Sequence, residues 1–164
     1  MPVFAWLTPR GVIEHAGPWD ESLSLNDDGE YFTRVVLASG GIFFSEEAKG
    51  YYRTAPLTTV SKRRDLQAAE SDLRAAQLSC RHLLAANSGP VARRACAAAM
   101  KRVAYSTYAE HPGVSAQADR MVEALGGSDL PFSGGWATKV AVALVGWRWT
   151  CRLRQWKRRL RSRH

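Results

Sequence analysis

The amino-acid sequence predicts an α+β fold: a small N-terminal antiparallel β-meander, then a helical hairpin, then a basic C-terminal helix. Three observations predict it. Short apolar runs separated by turn residues fill residues 1–58, and Leu and Ala recur at helical spacing from residue 59 to about 110. Residues 136–164 combine tryptophan with arginine and contain no acid. A chain of 164 residues, 46% of them apolar, suffices for one small domain with a helical extension.

The first segment, residues 1–58, is predicted to form four or five short strands in up-and-down order. Its apolar runs include 3–7, 30–38 and 42–44, and the residues between them favour turns. The turn clusters are Thr8-Pro9-Arg10-Gly11, Asn26-Asp27-Asp28-Gly29 and Ser39-Gly40-Gly41. Eight acids against four bases give the segment a net charge of −4, which indicates a solvated acidic face.

Residues 59–125 are predicted to be helical and to begin with a hairpin. Two apolar stripes at alternating steps of three and four predict its helices. They are Leu66, Ala69, Leu73, Ala76, Cys80 and Leu83, then Ala92, Cys96, Ala99, Val103 and Ser106. An antiparallel register about residue 88 would bring Cys80 opposite Cys96, close enough for a disulfide in an oxidising compartment.

A shorter helix is predicted from Ser115, as its N-cap, to Leu125. Gly126-Gly127 is expected to end it. The glycine-rich segment 126–135 then indicates a hinge in front of the C-terminal helix. With such a hinge, the meander and the hairpin can each fold without that helix.

The positive charge of the chain is concentrated in residues 130–164. This segment holds nine Lys and Arg and no acid, whereas residues 1–129 hold fourteen bases and fifteen acids. The formal net charge of +8 therefore belongs to the C-terminal segment. Such asymmetry predicts an anionic partner, either a membrane surface or a nucleic acid.

The predicted C-terminal helix, residues 136–164, divides into two halves. Apolar residues cover every side of the helix over 140–147, which predicts that this half is buried in lipid or in protein. After Arg148 the apolar residues narrow to a stripe, with cations around the rest of the circumference. The stripe is Trp149, Leu153, Trp156 and Leu160. This second half is typical of a basic amphipathic helix that lies on an anionic interface.

The apolar part of the C-terminal helix is short for a membrane span. Residues 130–149 have the length of a span, but Pro131, the following Ser-Gly-Gly and Lys139 interrupt it. The helix 136–149 would be about 21 Å long against a hydrocarbon core of about 30 Å. A shallowly inserted or marginally spanning helix is expected instead. The alternative is a core helix buried by residues 1–125, and the exposure of four side chains decides between them: Val140, Leu144, Val145 and Trp147.

The candidate binding residues all lie in this C-terminal segment. They are Trp136, Lys139, Leu144, Trp147, Arg148, Trp149, Arg152, Arg154, Trp156, Lys157, Arg158, Arg159 and Arg161. Tryptophan interleaved with arginine suits the headgroup level of a membrane. The same residues could stack on unpaired bases and neutralise phosphates.

Enzymatic chemistry finds little support in the sequence. The four histidines are scattered, without the spacing of a metal site, and the glycine pairs lack the context of a phosphate loop. Core packing is favoured over metal binding for Cys80 and Cys96. No cofactor is expected. A cleaved targeting peptide is not apparent, which predicts a protein that is intracellular or directed by internal information. The C-terminal helix predicts that it is membrane-associated.

Two functions are therefore weighed. The first is a non-enzymatic accessory or structural subunit of a larger assembly, docked through its C-terminal helix to anionic lipids or to membrane-embedded protein subunits. The second is a nucleic-acid-associated structural protein, such as a ribosomal or virion component. The continuously apolar segment 140–147 favours the first, because phosphate binding has no use for it.

Overall fold

The computed structural model describes residues 3–51 and 63–161, with the side chains of residues 4, 154, 155 and 157–161 excepted. All regular secondary structure within these residues is helical, so the predicted α+β class is wrong. A short 3-10 helix, Val3–Ala5, precedes six α-helices. These are α1 (Arg10–Ala16), α2 (Asp27–Ala38), α3 (Leu66–Ala86), α4 (Pro90–Thr107), α5 (Pro112–Ala124) and α6 (Trp136–Arg161).

Helix α2 occupies the longest predicted strand. Asp27, Asp28 and Glu30 lie in its first turn, where negative charge is stabilised by the helix dipole. Glu30, Tyr31 and Val35 are buried whereas Thr33 is not, which is a helical and not an alternating pattern. Aromatic and β-branched residues suggested a strand here, but that preference is weak and burial overrides it.

The other predicted strands are also absent from the described residues. Within the run 3–7, Val3–Ala5 form the 3-10 helix, and Trp6, which follows it, stacks on Phe32 of α2 with ring centroids 4.8 Å apart. Pro9 immediately precedes α1 instead of sitting in a hairpin turn. Residues 42–44 are exposed and have no regular structure. Residues 52–58 of the predicted meander lie outside the described residues.

The chain divides into two compact units, residues 1–92 and residues 93–164. In the first, α2 packs against α1 and α3. Ser71 links α3 to the segment before α2. Its hydroxyl accepts hydrogen bonds from the amides of Ser24 and Leu25, at 2.8 and 3.0 Å, and donates one to the Leu25 carbonyl. Three bonds to one buried hydroxyl fix the segment that leads into α2.

A buried charge pair also lies in the first unit. The Glu30 carboxylate is 2% exposed and accepts two hydrogen bonds from the Arg34 guanidinium, at 2.8 and 2.9 Å. His82 of α3 lies 3.3 Å from the same carboxylate. The hydrogen bonds to the Glu30 carboxylate raise the pKa of Arg34.

Helix α3 begins at Leu66, the first residue of the predicted apolar stripe, and not at residue 59. The Asp65 carboxylate accepts a hydrogen bond from the Ala68 amide at 2.9 Å and so caps the helix. Arg63 contacts the same carboxylate at 2.9 Å, and the hydrogen bonds from Arg63 and Ala68 lower the pKa of Asp65. A cation next to the helix N-terminus is thus offset by the capping acid.

The two predicted hairpin helices are present as α3 and α4, and residues 87–89 separate them. Cys80 and Cys96 are both buried, at 5% and 1% exposure. They belong to different units. Their separation and the disulfide therefore stay predictions.

The core of the second unit lies between α4 and α5. Met100 and Ala104 of α4 and Ala118 of α5 are fully buried. Ser115, predicted as an N-cap, instead lies inside α5, which begins at Pro112; its hydroxyl donates to the Ala104 carbonyl at 2.9 Å. The predicted end of α5 is confirmed, because Gly126 and Gly127 have φ of 100° and 90°, conformations that favour glycine.

Candidate functional site

Helix α6 is divided by a kink at Gly146. This residue has φ 77° and ψ 161°, which no helix contains and which side chains other than hydrogen rarely allow. The kink lies one residue before the end of the predicted apolar segment 140–147, so Trp147 belongs with the second half. The helical periodicity is therefore interrupted at Gly146, and each half of α6 has its own exposed and packed faces.

One face of the second half packs against α4, and we call it the inner face: Trp147, Thr150 and Cys151. The Trp147 ring contacts the rings of Tyr105 and Tyr108 edge-on, with centroids 4.9 and 5.0 Å apart. Thr150 and Cys151 are 3% and 5% exposed. The second half is thus held to its own unit by aromatic and small side chains.

Burial at this contact has a measurable consequence for Tyr105. Its hydroxyl donates to the Leu130 carbonyl at 3.0 Å, and its ring contacts Phe132 and Trp147. Burial raises the pKa of Tyr105, and the nearby negative charge of Asp119 raises it further. The segment before α6 is therefore tied to α4 through one phenol.

A charged group borders the inner face, and we call it the Asp119 cluster: Asp119, Lys101 and Arg148. One carboxylate oxygen lies 2.9 Å from the Lys101 ammonium and the other 3.0 Å from the Arg148 guanidinium. Lys101 lies 4.8 Å from the centre of the Trp147 ring and Arg148 lies 5.2 Å from it. The two cations that pair with Asp119 thus also hold Trp147 through cation–π contacts.

The opposite face of the second half carries exposed apolar side chains, and we call it the outer face: Trp149, Leu153 and Trp156. They are 60%, 52% and 65% exposed. Their spacing of four and three places them on one side of a helix. Val145, from before the kink, lines an open apolar groove with Trp149 and Leu153, so the outer face continues across Gly146.

The first half of α6 has an exposed stripe of its own. Trp136, Val140 and Leu144 follow one another at steps of four and are 78%, 48% and 78% exposed. Thr138, Ala141 and Val142 are partly buried on the other side. This half is predicted to be apolar on every side and therefore buried. The chain itself covers one side only and leaves the other side exposed.

Three of the four deciding side chains, Val140, Leu144 and Val145, are exposed. Trp147 is instead partly buried against Tyr105 and Tyr108, so the exposure expected of this side chain is not found. Its place on the inner face explains this result. No helix among residues 3–51 and 63–161 is long and apolar enough to cross a membrane.

The cations of the segment divide into described and undescribed side chains. Lys139 and Arg152 are exposed, and Arg148 belongs to the Asp119 cluster. The Arg152 guanidinium lies 5.3 Å from the centre of the Trp149 ring and 5.9 Å from that of Tyr108. The remaining predicted side chains lie outside those described: Arg154, Lys157, Arg158, Arg159 and Arg161.

Sequence reasoning missed the residues that receive α6. Lys101 and Tyr105 lie on α4, Tyr108 follows its last residue and Asp119 lies on α5, all of them far from the basic segment in the chain. The only available signal was the run of cationic and aromatic residues at 101–108, KRVAYSTY, which is unusual for the apolar stripe of a hairpin.

The described residues contain no group of three or more His, Cys, Asp or Glu side chains that could hold a metal ion. The surface with the most distinctive chemistry is therefore the exposed side of α6. No family model, no curated protein and no solved structure matches this chain.

Proposed function

We propose that this protein is a non-enzymatic accessory or structural subunit of a larger assembly, and that α6 docks it to an anionic membrane surface. The observation that carries the proposal is the outer face. Trp149, Leu153 and Trp156 are more than half exposed although the opposite side of the same helical turns is packed. A helix with both sides apolar, and only one side covered, calls for a second apolar environment.

Charge complementarity supports lipid as that environment. Arg152 lies beside Trp149, and the segment that contains both has nine cations and no acid. Tryptophan rings are favoured at the level of lipid headgroups, and each cation near an anionic leaflet contributes about 1 kcal/mol. The apolar side chains would enter the acyl boundary while the arginines contact phosphates.

A nucleic-acid partner is the second candidate, and the Arg152 contact with Trp149 is the observation that favours it. An exposed indole beside a guanidinium could stack on an unpaired base. Leu144, Val145 and Leu153 weaken this candidate, because bases and phosphates would leave their exposed apolar surface uncovered.

Flotation with liposomes tests the proposal. The outer face is changed by Trp149→Ser, Leu153→Ser and Trp156→Ser. The matched control is Ile42→Ser, Phe43→Ser and Phe44→Ser in the first unit, where the side chains are also more than half exposed. We expect the first variant alone to lose binding to vesicles that contain phosphatidylserine. Deleting α6 is a poorer test, because it would also uncover Tyr105 and Tyr108.

The proposal fails if the outer-face variant floats as well as the unchanged protein. Binding to single-stranded RNA that survives in the presence of excess vesicles would favour the second candidate. Charge reversal at Arg152, Arg158 and Arg159 should weaken vesicle binding in a salt-dependent manner.

A further inference from the structure

We propose that Asp119 acts as an internal competitor for the anionic headgroup at Arg148, so that the two arginines of α6 nearest the kink have different roles. Arg152 would bind a phosphate whenever the protein is on the membrane, whereas Arg148 would bind one only after it leaves Asp119. This inference rests on the proposed membrane docking and adds a mechanism that limits the affinity for the membrane.

The geometry of the Asp119 cluster supports this division. The Asp119 side chain is 13% exposed and is held by Lys101, whose side chain is 15% exposed, at 2.9 Å. Arg148 is on the solvent side of the same carboxylate, at 3.0 Å, with 60% of its side chain exposed. The acid is therefore fixed, whereas the arginine can turn away from it to meet another anion.

A phosphate group fits the position that Asp119 occupies at Arg148. A guanidinium binds carboxylate and phosphate oxygens with the same planar donors, so the two anions exclude each other at one edge of the group. The carboxylate, which pairs with both Lys101 and Arg148, offsets part of the positive charge of Arg148 and so reduces its attraction to an anionic surface. Arg152 contacts rings and has no carboxylate within ion-pair distance among the described side chains.

The kink makes the exchange local. Trp147 is held against Tyr105 and Tyr108 on one side of Arg148, and Gly146 next to it interrupts the helix. Release of the Arg148 side chain gives up its contact with the Trp147 ring, whereas the contacts of that ring with Tyr105, Tyr108 and Lys101 do not involve Arg148. The ligand class at this position is a phosphate monoester or diester of a lipid headgroup.

The test measures dissociation constants for phosphatidylserine vesicles by titration at fixed ionic strength. We expect Asp119→Asn to bind about fivefold tighter than the unchanged protein. Glu123→Gln is the matched control, because it removes the same charge from an exposed position on the same helix. The gain in Asp119→Asn should disappear when Arg148→Ala is added.

Two single substitutions keep the proposal testable if Asp119→Asn does not fold. Arg148→Ala should weaken binding less than twofold, whereas Arg152→Ala should weaken it about fivefold. Equal losses from the two arginine variants would overturn the inference, and so would equal gains from Asp119→Asn and Glu123→Gln. Absence of vesicle binding by the unchanged protein would overturn the proposed function and this inference with it.

Discussion

Replacing Leu144 by alanine tests whether the exposed stripe of α6 contacts lipid. The side chain is 78% exposed in the chain alone, so the substitution should change the free energy of unfolding by less than about 0.5 kcal/mol. Full burial of leucine relative to alanine contributes about 2 kcal/mol. If lipid covers most of the exposed part, the substitution should weaken the binding free energy by about 1.5 kcal/mol, which raises the vesicle dissociation constant roughly tenfold.

Leu7 provides the control for this prediction. It is also a leucine in full contact with solvent, 101% exposed, but it belongs to the first unit, where the charge is negative. Titration of vesicles against each variant by tryptophan fluorescence gives the two constants. Similar weakening of binding by Leu7→Ala and Leu144→Ala would refute the assignment of the membrane contact to α6.

Three further predictions concern the framework that carries α6. Glu30→Ala should lower the free energy of unfolding by about 3 kcal/mol in urea titration, because it leaves a buried cation unpaired. Glu14→Ala, at an exposed pair of the same spacing, should cost under about 0.5 kcal/mol. Gly146→Ala should destabilise the second unit by about 1–3 kcal/mol through its backbone conformation, whereas Gly113→Ala, in open space on α5, should not lower the melting temperature. Tyr105→Phe should cost about 1 kcal/mol, because it removes the bond to Leu130. Because the pKa of Tyr105 is raised in the folded state, its contribution to stability is complete below the ordinary pKa of tyrosine and falls as pH rises through the folded-state pKa. Above pH 10, Tyr105→Phe should therefore lower the free energy of unfolding less than it does at neutral pH, as measured by denaturation.

The helices could be predicted from the sequence wherever apolar residues recurred at steps of three and four. Helices α3 and α4 and the end of α5 at Gly126 follow from such spacing and from turn residues, which are local signals. In α2 the local signal was ambiguous. Tyr31 and Val35 favour strands as isolated residues, and the acids that begin the helix equally suit a turn.

The exposed stripe of α6 was predictable for the same reason, because Trp149, Leu153 and Trp156 are close together in sequence. The inner face was not. Trp147 belongs to it through contacts with Tyr105 and Tyr108, about forty residues away, and such pairings have no periodic signature. The kink at Gly146 could have been suspected, since glycine inside a helix usually marks a special backbone position.

Quenching of tryptophan fluorescence by brominated lipid tests the central claim most directly, because it reports contact with acyl chains residue by residue. The claim is that the outer face enters the membrane while the inner face stays on the protein. We therefore expect Trp149→Phe to lose a large share of the quenchable emission and Trp147→Phe to lose almost none, when each is bound to the same vesicles. Equal losses from the two substitutions, or a greater loss from Trp147→Phe, would contradict the account.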